Sequence, residues 1–124
     1  MESSLTKIFN KLKLLMQKYE GELTPKINTS EQYDLWSTKE IEVFGKKRKE
    51  VYFAGLVTQK DYISLHYLPI YANPQMKDAI PERLLKTLKT MSCFHISDLD
   101  DELSADIESL LAKGYAEYEK RGWV

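Results

Sequence analysis

Hydrophobic and polar positions change period along the chain, and the changes mark out its elements. From residue 3 to residue 20, Leu5, Ile8, Phe9, Leu12, Leu15, Met16 and Tyr19 recur at three- and four-residue spacings, the stripe of an amphipathic helix. Ser3 or Ser4 can cap its free amides, and Gly21 can end it in the left-handed conformation. Lys7, Lys11 and Lys18 fall on the opposite side, a solvated face that an acidic partner could also use. Residues 22–32 hold neither period and, with Pro25 and an Asn-Thr-Ser cluster, predict a long loop of the kind that sometimes carries function.

The pattern then shortens to period two. Tyr33 to Ser37 and Glu40 to Phe44 predict short strands, the second with Glu40 and Glu42 outward and Ile41 and Val43 inward. Gly45 to Lys49, a glycine followed by four cations, predicts a charged turn leading into the longest β-like stretch, Lys49 to Ile70. That stretch predicts a hairpin around which the rest is organised. A three-residue loop of Gln59, Lys60 and Asp61 puts Val51, Phe53, Gly55, Val57, Ile63, Leu65 and Tyr67 on the core face. Tyr52, Leu56, Tyr62 and Leu68 then occupy the open one. A two-residue loop of Lys60 and Asp61 instead groups Ile63, Leu65 and Tyr67 with Tyr52 and Leu56, because a one-residue slip turns every side chain over. The expectation rests on the three-residue loop.

Beyond Asn73-Pro74 the pattern returns to helix from Gln75 to Met91, irregular at Pro81, with Leu84, Leu85, Leu88 and Met91 as the buried stripe. Cys93 to Ser97 predicts a last strand with Phe94 and Ile96 on one face and Cys93 and His95 on the other. Asp98, Asp100 or Asp101 opens a final helix whose inner side is Leu103, Ile107, Leu110, Leu111, Gly114 and Tyr118. Gly122 ends it and Trp123 folds back as an apolar closing contact. The sum is an α+β fold: a two-layer sandwich, an antiparallel sheet of about five strands with helices mainly on one face.

Size and charge narrow the function classes. A chain of 124 residues is expected to form one domain, spanning 1–124, able to bury roughly two-thirds of its unfolded surface. A formal charge of -1 supplies no field for a nucleic acid or a membrane surface, and no apolar run is long enough for a membrane span. The single Cys93 has no disulfide partner, and Met1 is followed by Glu2, Ser3 and Ser4 rather than a basic and then apolar leader. A cytoplasmic location is therefore expected.

Two constellations could carry chemistry. Cys93 and His95, side by side on a strand, with His66 on the outer hairpin face, could hold zinc or another borderline metal if a water or an acid completed the set. A cysteine beside a histidine could equally be an activated thiol, and a small buried cysteine with two ordinary surface histidines explains the same residues. The aromatic supply points to binding instead: Trp36, Tyr52 and Tyr62, with His66, would form an amphipathic platform on the sheet face opposite the helices. Such a platform suits a partner protein, a second copy of the chain or a flat ligand; cross-strand pairing alone also accounts for it. With no phosphate loop, Ser-His-Asp set or carboxylate pair placed by a motif, no catalytic residue is assigned and no cofactor is expected beyond that metal.

Several segments taken together resemble the YdhG-like domains of unknown function: Tyr33-Asp34-Leu35-Trp36-Ser37, Arg48 to Leu56, Gln59-Lys60, Leu68-Pro69-Ile70-Tyr71, and Ser92 to Ile96. The resemblance covers roughly residues 30–124. It implies a compact bacterial α+β domain of frataxin-like general shape, some relatives of which have been proposed to carry iron for iron-sulfur cluster assembly, and it supplies no catalytic residues. A frataxin-type carrier holds iron on an acidic ridge of its first helix and strand, because hard iron prefers carboxylate oxygens. This chain places lysines there, and its acidic run, Asp98, Asp100, Asp101, Glu102 and Asp106, lies near the other end.

Overall fold

A computed structural model describes residues 4–43 and 45–124. Helix α1 spans Ser4–Gln17; β1 (Gln32–Ser37), β2 (Ile41–Val43), β3 (Lys46–Arg48), β4 (Val51–Thr58) and β5 (Ile63–Tyr67) follow. Short α2 (Pro69–Ala72), a 3-10 turn over Pro74–Ala79 and α3 (Glu82–Leu85) lead to β6 (Cys93–Ile96) and the long α4 (Asp101–Lys120). Met1, Glu2, the cap expected from Ser3 and the strand end expected at Phe44 lie outside the described residues, as does the inward side chain expected of Val43.

The fold is α+β, with a four-stranded antiparallel sheet in the order β1-β4-β5-β6 and helices α1 and α4 packed on one of its faces. The expected fifth strand is not in that sheet. Residues 41–43 and 46–48 instead pair as a separate ribbon of β2 and β3, with Gly45 between them at a φ of 80° that only glycine adopts freely. The four cations are thus not all in a turn: Lys46 to Arg48 are the returning strand, and all of them are exposed.

The hairpin register differs from the expected one. Thr58 pairs with Ile63, and the Gln59 N–H donates to the Tyr62 carbonyl at 2.9 Å, so the tip is Lys60 and Asp61, the two-residue loop. A bulge then intervenes between β1 and β4, where Leu35 pairs with Ala54 but Trp36 pairs with Tyr52, leaving Phe53 as the extra residue. Loop and bulge together decide the faces. Ala54, Leu56, Ile63, Leu65 and Tyr67 point to the helices, and the bulge lets Phe53 point there too. Gly55 and Val57 move to the outer face, and Leu56 leaves it for the core. Tyr52 stays outside because the alternation slips by one at Phe53.

The core that results is continuous: Phe9, Leu12 and Met16 of α1 and Ile107, Leu111 and Tyr118 of α4 close over Tyr33, Leu35, Phe53 and Phe94. Gly114 is where α4 comes nearest the sheet; an added Cβ would overlap the Tyr67 hydroxyl and lie 2.8 Å from Pro69 Cγ. Asp100 caps α4 by accepting the Leu103 N–H at 2.8 Å, and Trp123 folds back with its ring 5.0 Å from that of Tyr118. Lys11 and Lys18, two cations of the first helix's outer side, pair with Asp101 and Glu108 of α4 at 3.4 and 3.1 Å. Much of the lysine face is therefore met within the fold.

The helix expected over residues 75–91 breaks into the 3-10 turn and one turn of α3. Leu84 is buried, Leu85 and Leu88 are half-buried, and Met91 is 51% exposed. What competes with the helix is the sheet edge. Lys89 N–H donates to the Cys93 carbonyl and His95 N–H to the Thr87 carbonyl, both at 2.9 Å, so this stretch lines β6. The opposite edge is lined likewise by the long loop, where Thr24 and Trp36 exchange backbone hydrogen bonds of 2.7 and 2.9 Å. Both edges, which would otherwise invite pairing with another chain, are covered.

Candidate functional site

The outer face of the sheet is organised in cross-strand rows. Asp34, Gly55, His66 and Cys93 make one row; Gln32, Val57, Ser64 and His95 make the next; Trp36 and Tyr52 pair beyond the bulge. Trp36, Tyr52, Tyr62 and His66, all expected on this face, are there, but not in one place. Trp36 and Tyr52 stack at a centroid distance of 4.7 Å and 15° between planes, near the start of β4. Tyr62 stacks on His95 at 4.0 Å and 13°, next to the hairpin tip. The two stacks are about seven residues apart along the hairpin, or roughly 20 Å. His66 lies between them.

His66, Cys93 and His95 share the outer face as expected, yet they do not converge. Among the described residues, no three or more His, Cys, Asp or Glu side chains are grouped to hold a metal ion. His66 stands across from Cys93, while His95 stands across from Ser64 with its ring held on Tyr62. Cys93 is a buried free thiol whose Sγ lies 2.7 Å from the Ser64 hydroxyl. Burial and the neighbouring His95 push the His66 imidazole below its ordinary pKa, so it is held neutral more readily than a free histidine.

At the Trp36-Tyr52 end, local sequence explains the geometry. Gly55 has no side chain, and the Tyr52 ring lies back across it; a Cβ there would overlap the Tyr52 hydroxyl. Burial first, then Asp34 and Cys93, raises the Tyr52 phenol well above its ordinary pKa, which keeps it protonated. Asp34, itself buried, accepts the backbone N–H groups of Lys26 and Ile27 at 2.9 and 2.7 Å and so ties the long loop to the sheet. That tie sets Lys26 Nζ 4.7 Å over the Trp36 ring, where it also pairs with Glu50 at 2.6 Å. The long loop thus contributes one wall of the aromatic cluster.

From this cluster the outer face runs into a cleft of about 370 Å³ at the end of the sandwich. Trp36, Tyr52, Tyr71, Tyr118 and Trp123 are its aromatic lining, with Val51, Leu68 and Ala72 between them and Arg48 and Glu50 on the ribbon side. Tyr118 and Trp123 are nearly closed off from solvent and form the floor, whereas Tyr71 is 47% exposed. One polar atom of this lining is unmatched: the Trp36 Nε1 is buried with no hydrogen-bond partner among the described residues.

Sequence reasoning finds Trp36 and Tyr52 but misses Arg48, Tyr71, Tyr118 and Trp123 as cleft residues. Each has another local reading: a charged turn, a post-strand break, a helix stripe and a closing contact. Only the folded chain brings them together, over separations as long as Trp36 to Trp123. Among the described residues no helix is long and apolar enough to cross a membrane. Comparison with protein-family models, curated proteins and solved structures returns no match to this chain.

Proposed function

We propose that the protein is a cytoplasmic binding domain rather than an enzyme, and that it takes its ligand at the Trp36-Tyr52 end of the open sheet face. The observation that carries this reading is the cleft, where five aromatic side chains from β1, β4, α2 and the C-terminal segment converge on about 370 Å³, a size within the range of small-ligand sites. The alternatives draw less support. Cys93 is engaged by Ser64, and His95 by Tyr62, so the side chains that a metal carrier or a thiol enzyme would need have other contacts. A partner protein or a second copy would approach over the same face, but Leu56 has turned inward and Ser64, His66 and His95 occupy the middle, which makes that surface less apolar than the self-association reading requires. Kinship with the YdhG-like domains is proposed on sequence alone; two of its segments, Tyr33 to Ser37 and Val51 to Leu56, fall on the strands that carry the site.

Nitrogen-15 spectra test the reading directly, because the only two tryptophans, Trp36 and Trp123, both line the cleft. A panel of small aromatic amides, amines and acids should contain binders that shift both indole N–H signals, with affinity roughly tenfold weaker in Tyr52→Ala, about the worth of one aromatic stack. Binders that leave both indole signals in place would remove the support for this site.

A further inference from the structure

The aromatic cleft has a sign as well as a shape. Three of the charges around it are matched: Lys26 and Glu50 hold each other, and the Arg121 guanidinium binds Glu117 at 2.9 Å and the Ala72 carbonyl at 2.7 Å while lying over the Trp123 ring. Arg48 is not. It lines the cleft from β3, is exposed, and among the described residues its side chain makes no ion pair or hydrogen bond. Lys46, on the same side of the ribbon, is likewise an exposed cation, whereas Lys47 faces the other side with Glu42 across from it.

We propose that the cleft is a site for a small planar aromatic carboxylate, its ring on the aromatic lining and its carboxylate on Arg48. The inference rests on the binding reading above and adds the chemical class. A guanidinium fork matches a carboxylate through two parallel hydrogen bonds, and beside apolar walls that pairing is stronger than in open water. Trp36 is already stacked on Tyr52 and covered by Lys26, so the half-exposed Tyr71 and the rest of the aromatic lining offer the flat surface, and the volume accommodates about two fused rings. A cationic ligand would meet Arg48 unfavourably, and a long aliphatic acid would leave the flat faces poorly matched.

The test compares 2-naphthoate with its neutral counterpart 2-naphthamide by calorimetry and by the two indole N–H signals. Naphthoate should bind about tenfold more tightly, the worth of one charge-assisted contact, and the preference should fall as salt is raised. In Arg48→Ala the preference should vanish while the amide affinity holds, and in Glu50→Gln, which removes the anion at the rim, naphthoate should bind more tightly. Equal binding of the two probes to the unaltered protein, or a preference that survives Arg48→Ala, overturns the carboxylate assignment and leaves the aromatic site standing. Failure of both probes to bind overturns the assignment and counts against the site itself.

Discussion

Each face of the sheet has a tyrosine lying against a glycine, and the two contacts are finished differently. Inside, Tyr67 packs against Gly114, is fully buried, and donates its hydroxyl to the Leu110 carbonyl at 2.7 Å. Tyr118 does the same toward the Tyr52 carbonyl at 2.7 Å. Outside, Tyr52 lies over Gly55 and stacks on Trp36, whose Nε1 has no partner among the described residues. Burying an unpaired donor costs roughly 1–3 kcal/mol, which the inner face avoids throughout its tyrosines. The inner face is completed by the chain's own packing and hydrogen bonds. The outer one keeps flat aromatic surface and an unmatched donor beside a cleft.

The largest expected effect comes from closing the inner gap. Gly114→Ala would gain about 1 kcal/mol of helix propensity, but the new methyl meets the anchored Tyr67 ring and Pro69, and overpacking of that kind costs roughly 1–3 kcal/mol. A net loss of up to about 2 kcal/mol in urea denaturation is expected; a raised midpoint would show that the helix can lift off the sheet without penalty. Gly55→Ala is the matching change outside. There the clash is with the end of the Tyr52 side chain, which can swing toward solvent, and the Tyr33 carbonyl is close at 3.3 Å, so the loss should be about 1 kcal/mol or less while naphthoate affinity falls several-fold. If Gly55→Ala destabilises as much as Gly114→Ala, the outer stack is a structural element and the contrast between the faces collapses.

Smaller effects sharpen the same contrast. Trp36→Phe keeps a ring on Tyr52 and removes the unmatched N–H, so stability should move by no more than about 1 kcal/mol, because the lost burial area and the relieved donor oppose each other. A loss above about 2 kcal/mol would mean that the indole N–H has a partner after all. The smallest effect is in the pH dependence. His66 has a folded pKa below its unfolded one, so above the unfolded value of about 6.5 neither state binds the proton, and below it the unfolded state binds first. Stability should therefore decline as pH falls from about 7 toward about 5, and His66→Gln should flatten that part of the profile. An identical decline in the variant would assign it to other groups.

The sequence by itself determined the parts whose signal is local. The stripe of α1, the inner side of α4 from Leu103 to Tyr118, an acidic cap among Asp98, Asp100 and Asp101, the strands at β1, β4, β5 and β6, and the outward placement of Trp36, Tyr62 and His66 all follow from period and end signals. Only the tertiary structure decided what depends on competition between distant segments. A one-residue difference in the hairpin loop turns β4 over, and the bulge at Phe53 turns part of it back, so Leu56 is core while Tyr52 stays outside. Residues 87–89 lie in helix-compatible sequence but complete the hydrogen bonds of β6, because an unpaired strand edge outweighs a marginal helical turn. The cleft is the extreme case. Arg48, Tyr71, Tyr118 and Trp123 have local roles that any reading of period will assign, and they become one site only because the strand ends, the α2 turn and the last helix meet at the same end of the sheet.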